Sequence, residues 1–146
     1  MIQQRCQGQQ RGLSPGVELV ILLPALLILI GVTVAGGRLW LTRSTIDQAA
    51  YSAARAASIE RDGAQAAAQG RAAAVAELHT DGVHCAQRSI TLDTAGFHSA
   101  IGTPSAVHAI LRCRVQLGDA AVPGLPGSMM LTGRASVPID SYRERR

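Results

Sequence analysis

Two cysteines, four histidines and one acid at the head of an apolar run are the side chains with the most chemical potential in this sequence. Cys85, Cys113, His79, His84, His98 and His108 are of the right types to hold zinc. Their spacings match no tight metal pattern, and oxidised cysteines cannot ligate, so surface histidines and no metal site are expected. Ser-His-Asp chemistry needs a nucleophile turn such as GxSxG, and no such reaction is expected. No phosphate loop GxxxxGK[ST] occurs, and the sequence has no Lys to complete one. No paired carboxylates share an evident pocket. The expectation is a protein without catalytic residues and without a cofactor.

Cys85 and Cys113 carry two open readings. In an oxidising compartment they pair, and the enclosed loop of about 28 residues gives roughly 3–4 kcal/mol on the chain-entropy estimate. In a reducing compartment they are two buried thiols. Cys6 lies before the apolar run, where it stays a thiol or is removed.

The element that positions everything else is the stretch Val17 to Gly37, followed at once by Arg38, Leu39 and Trp40. As a helix its roughly 21 residues span about 31 Å, close to the ~30 Å apolar core of a bilayer. Residues 1–16 form a basic leader with Arg5, Arg11 and no acid, and are expected to stay cytoplasmic. Residues 17–40 are the expected membrane helix, and 41–146 the extracytoplasmic domain. A cleaved signal peptide, cut after Ala35, is the rival; its apolar region should be only about 7–15 residues long. Trp40 suits an interfacial anchor. Gly31 and Ala35, four apart, suit close helix approach. Pro24 removes one backbone hydrogen bond, which membrane helices tolerate.

Glu18 is the informative acid. A carboxylate in a membrane helix costs about 2.5–3.5 kcal/mol at mid-depth and less near an end. The helix dipole favours it at the N-terminus. It reads either as an interfacial acid or as a carboxylate kept for a cationic partner.

All 14 basic residues are Arg, scattered rather than striped. With Trp40, Tyr51, Phe97 and Tyr142 as the only aromatics there is little surface for base stacking, and no nucleic-acid partner is expected.

Beyond the membrane segment, Ser44 to Ile59 is Ala-rich with no Gly or Pro, and Ile46, Ala49, Ala50, Ala53 and Ala57 recur at helical spacing. The helix is expected to run on through them, either as a spine or as a stalk. Gly63 reads as a stop and Asp62 as a cap. A second helix is expected over Ala64 to Leu78, with Ala68, Ala72, Val75 and Ala76 on its apolar side. Three runs then alternate with period two, over 88–93, 107–117 and 131–139, and predict a half-buried antiparallel sheet covered by the second helix or by the outer part of the long one. Cys113 points inward on this pattern. The fold class is α+β: a long N-terminal transmembrane helix continuing into a short helix and a small three-stranded antiparallel sheet. Gly124 to Gly127 reads as a rigid turn, and Arg143 to Arg146 as a solvated tail.

The run RGLSPGVELVILLPALLILIGVTVAGGRLW, followed by TRSTIDQAAYSAARAAS, resembles the TadE-like family of pilus-assembly proteins, minor pseudopilins of the tight-adherence (Flp-type) system. The shared features are a basic leader ending near Gly12, a Glu opening an apolar helix, the Leu23-Pro24 step, Gly37-Arg38, and the helix ending Ala53 to Ala57. The resemblance is good over 11–58. It continues more loosely through Cys85, Cys113, the Pro123 to Gly127 turn and the Ile139 to Arg145 ending, which look actinobacterial. The resemblance implies a role in assembling a pilus or secretion apparatus, with membrane lipid, other pilin-like subunits and assembly machinery as partners. Glu18 and Pro24 would serve filament or membrane assembly, and the Ala face would pack against neighbouring helices. A prepilin peptidase cutting between Gly12 and Leu13 is also implied. Gly12 precedes Glu18 by six residues, where prepilin-type leaders have five. The alternative is a single-pass envelope protein whose outer domain binds a ligand or partner without entering a filament.

Overall fold

The computed structural model describes residues 15–116 and 127–142, with side chains from Leu19 onward. Cys6, Gly12, Leu13, Leu117, the turn through Pro126 and the tail from Arg143 lie outside the described residues. The order is α1 (Pro15–Ser58), α2 (Gly63–Thr80), β1 (Gln87–Asp93), a 3-10 turn (Ala95–His98), β2 (Ser105–Gln116) and β3 (Ser128–Ile139). The class is α+β, with a long apolar N-terminal helix, a second helix and a three-stranded antiparallel sheet, as the patterning predicts. The chain divides into two compact units, residues 1–34 and 35–146.

In the first unit the described residues are all helical, because the run from Leu19 to Val34 has no polar break. Every large apolar side chain from Leu19 to Val34 is exposed, by 49 to 70%. Burying each fully would be worth about 1.5–3 kcal/mol. Pro24 lies inside α1 without ending it. Its nitrogen cannot bond the carbonyl four residues back, that of Val20. Farther along, Thr33 donates its hydroxyl to the Leu29 carbonyl at 2.8 Å, so this polar group is satisfied within the helix.

The second unit is built around the last three turns of α1. Ile46, Ala49, Ala50, Ala53, Ala54 and Ala57 are at most 1% exposed. Their spacing puts them on one helix face. The core runs along that face in three layers. Ile46, Ala49 and Ala50 meet Leu78, Leu111, Cys113, Val115 and Leu131. Next, Ala53 and Ala54 meet Ala74, Ala109 and Val137. Finally Ala57 meets Ala66, Phe97, Val107 and Ile139. Residue numbers fall along α2 and β2 as they rise along α1 and β3. α2 therefore runs back alongside α1, and both helices cover the same face of the sheet.

The sheet order is β1-β2-β3, antiparallel throughout. All twelve β3 residues pair with β2, from Ser105 opposite Ile139 to Gln116 opposite Ser128. The odd positions of β2, Val107 to Val115, are buried and the even ones mostly exposed, as period-two alternation requires.

One reading of the helix hairpin needs correction. Gly63 does not stop α1, which ends at Ser58; it is the first residue of α2. Asp62 is a cap, as expected, at the start of α2: its Oδ2 accepts the backbone N–H groups of Ala64 and Gln65, both at 3.0 Å. Asp62→Ala is expected to cost about 1 kcal/mol, read as a lower unfolding midpoint of the full chain in detergent. At the other end Gly82, with φ of 67°, closes α2 in a Schellman motif: its N–H bonds the His79 carbonyl and that of Val83 bonds Leu78.

The apolar side of α2 is also not the expected one. Ala66, Gly70, Ala74 and Leu78 are buried, while Ala68, Ala72 and Ala76 are exposed. α2 carries Ala at so many positions that hydrophobic pattern barely distinguishes its faces. Gly70 does. A methyl group built there would lie 2.8 Å from the Ala53 carbonyl oxygen and 2.9 Å from Leu92 Cδ1. The α1 backbone approaches at the one glycine in the interior of α2. Ala is the better helix former by about 1 kcal/mol. Even so, Gly70→Ala is expected to destabilise the full chain by about 1–2 kcal/mol in a denaturant titration, because a packed carbonyl cannot retreat.

Candidate functional site

The residues singled out by the sequence fall into separate places. Glu18 is the fourth residue of α1, whose first is Pro15. Pro is preorganised for a helix start, and the first turn is where a negative charge is favoured. Pro24 follows two turns on. Gly12 and Leu13 lie outside the described residues.

Cys85 and Cys113 form a disulfide, with Cα atoms 5.3 Å apart. Cys113 is fully buried on the central strand, between Arg88 of β1 and Leu131 of β3. Cys85 lies just before β1, and the N–H of Ala86 bonds the Arg114 carbonyl at 2.8 Å. The bond therefore ties the α2–β1 connection to the centre of the sheet, beneath Ile46, Ala49 and Ala50. A polar link crosses the two helices as well: Ser52 donates to Glu77 Oε2 at 3.3 Å.

His79, His84, His98 and His108 are exposed. Among the described residues no three His, Cys, Asp or Glu side chains converge as a metal site would need. The letters GxSxG do occur, as Gly12-Leu13-Ser14-Pro15-Gly16. A nucleophile elbow joins a strand to a helix in an α/β sheet. Here the string leads into the apolar helix, and the sheet is a three-stranded antiparallel one that begins at Gln87.

The Ala face of α1 is not available to neighbouring helices, contrary to expectation. Ala49, Ala50, Ala53, Ala54 and Ala57 are 0% exposed inside their own domain. Sequence reasoning also passed over two core residues. Gly133 sits at the odd position of β3 where the apolar alternation lapses. A methyl group there would lie 2.5 Å from the Ile46 carbonyl oxygen. An isolated Gly inside a strand pattern is the signal of close backbone approach. Phe97, 4% exposed, closes the last core layer from the 3-10 turn. Its signal is a lone aromatic in a Gly- and Ser-rich connection. Asp93 sets that turn by accepting the Ala95 N–H at 3.0 Å.

One helix is long and apolar enough to cross a membrane, and its second half is the spine of a small disulfide-bonded α+β unit. That combination defines a candidate single-pass anchor carrying a folded unit. Its N-terminal segment is TadE-like: the family model described as TadE-like protein matches residues 17–55. The match takes in the apolar run and the buried Ala face as far as Ala54, and ends before Ala57, α2 and the sheet. Neither curated proteins nor solved structures give a match to the chain. The family match and the apolar helix together fit a membrane-anchored, pilus-related protein.

Proposed function

We propose that this chain is a membrane-anchored, minor-pilin-like protein that takes part in assembling a tight-adherence-type pilus or secretion apparatus. The observation that carries the proposal is the TadE-like match over 17–55, on a helix whose large apolar side chains from Leu19 to Val34 are all exposed. The disulfide supports an extracytoplasmic location for the second unit, since such bonds persist in oxidising compartments. The Arg-bearing leader then stays cytoplasmic. On this reading the chain works by association with lipid, pilin-like subunits and assembly machinery, and not by catalysis. Glu18 pairs with a cationic group of the apparatus, such as a subunit amine, and a prepilin peptidase cuts after Gly12.

A second reading is favoured by the burial of the Ala face. With those alanines inside the domain, the outer part of α1 has no small-residue stripe left for neighbouring helices. A single-pass envelope protein whose outer unit binds a partner, without entering a filament, accounts for this.

Glu18→Gln separates the two. In the full chain in its own membrane, the pilin-like reading expects the variant to be retained in the membrane fraction. Its recovery in sheared surface filaments should fall by at least about tenfold, the equivalent of ~1.4 kcal/mol. Equal recovery of wild type and variant sinks the role of Glu18. Absence of both from filaments, with an uncut N-terminus on protein sequencing, selects the envelope reading.

A further inference from the structure

The helices cover one face of the sheet; the other is open. Its central positions are Arg112 and Arg114 of β2 and Arg134 of β3, all exposed. In the strand register Arg112 lies opposite Thr132, and Arg134 is two residues further along β3. Same-face neighbours lie about 6.8 Å apart along a strand and about 7–8 Å apart on the diagonal. Arg112 is therefore that close to both Arg114 and Arg134. Among the described residues none of the three makes a side-chain hydrogen bond or ion pair. The only carboxylate on the three strands is Asp93, opposite His108 at one end, and it is engaged by the Ala95 N–H. Three like charges side by side repel, and nothing in the described chain offsets them.

Apolar side chains flank the Arg112–Thr132 pair on the same face, one at each end of the patch. Met130, opposite Arg114, is 46% exposed, and Ile110, opposite Arg134, is half-buried. Arg and Met are both enriched at protein-binding surfaces. A site for a simple polyanion would have no use for the flanking apolar groups. Guanidinium groups also match carboxylates in bidentate geometry.

We propose that this open sheet face docks a different protein through an acidic surface, whose carboxylates pair with Arg112, Arg114 and Arg134 and whose apolar groups contact Ile110 at one end of the patch and Met130 at the other. The proposal does not rest on the pilus reading.

The test places a photo-crosslinking amino acid at position 130 of the full chain in its native membrane, and identifies the crosslinked peptide by mass spectrometry. The expected adduct is a peptide of another protein rich in Asp and Glu. Its yield should fall at least about tenfold in Arg112→Glu with Arg134→Glu, while the unfolding midpoint and the disulfide are unchanged. If that variant folds poorly, Arg112→Gln with Arg134→Gln replaces it. The proposal is overturned by an adduct with lipid, carbohydrate, nucleic acid or a second copy of this chain. It is equally overturned by no adduct, or by a yield indifferent to the charge change.

Discussion

Replacing Cys85 and Cys113 together by Ala lowers the stability of the second unit by about 2–5 kcal/mol. For a unit spanning residues 35–146 each kcal/mol shifts the midpoint by about 4 °C, so a drop on the order of 10–20 °C is expected. The entropic part comes from a sequence separation of 28 residues between the joined positions. Reduction leaves both sulfur atoms in the core, so its cost comes from the unfolded chain; Ala adds a smaller packing loss at the buried Cys113. Two checks follow from that account. Cys113→Ala alone should cost nearly as much as the double substitution, since either removes the bond. Wild type treated with reductant should melt close to the double variant. A reduced wild type melting within about 2 °C of the oxidised protein would show that the bond is incidental.

Gly133→Val is the other large effect. Val normally suits a strand better than Gly, by up to about 1 kcal/mol. Here its first carbon would lie 2.5 Å from the Ile46 carbonyl oxygen and 2.8 Å from the carbonyl carbon. Both are backbone atoms of a helix packed on the sheet. Relief requires moving α1 as a whole, which disturbs the layer of Ile46, Ala49 and Ala50. A loss of about 3 kcal/mol or more is expected, toward the upper end of overpacking effects. Ser136→Val on the open face provides the control and should stay within about 0.5 kcal/mol. Denaturant titration of the full chain in detergent reads both, and equal midpoints for the two variants would remove Gly133 from its assigned role.

These two sites show what could be read in advance. The strands were legible because a half-buried sheet imposes a period of two, and Val107 to Val115 keep it without a lapse. The long helix was legible from the spacing of Ile46 to Ala57. What covers that helix was not. A row of alanines says that something comes close, and says nothing of whether it is another subunit or the same chain's sheet. The answer lay in Gly70 and Gly133, positions that carry no side chain and so enter a hydrophobic pattern only as a gap. In α2 the difficulty was more basic. Where Ala occupies both faces, burial is decided by the neighbours' shape and not by the residue's own chemistry. The disulfide could be named as a pair, since only two cysteines follow the apolar run; whether it forms depends on the compartment.

The exposed turn around Ile101 and Gly102 lies, in chain order, between the two joined cysteines. A single protease cut there would sever the polypeptide yet release nothing. The product would migrate as one intact band on a gel run without thiol, and as two bands with it. Intactness of this protein after processing or ageing therefore has to be judged under both conditions.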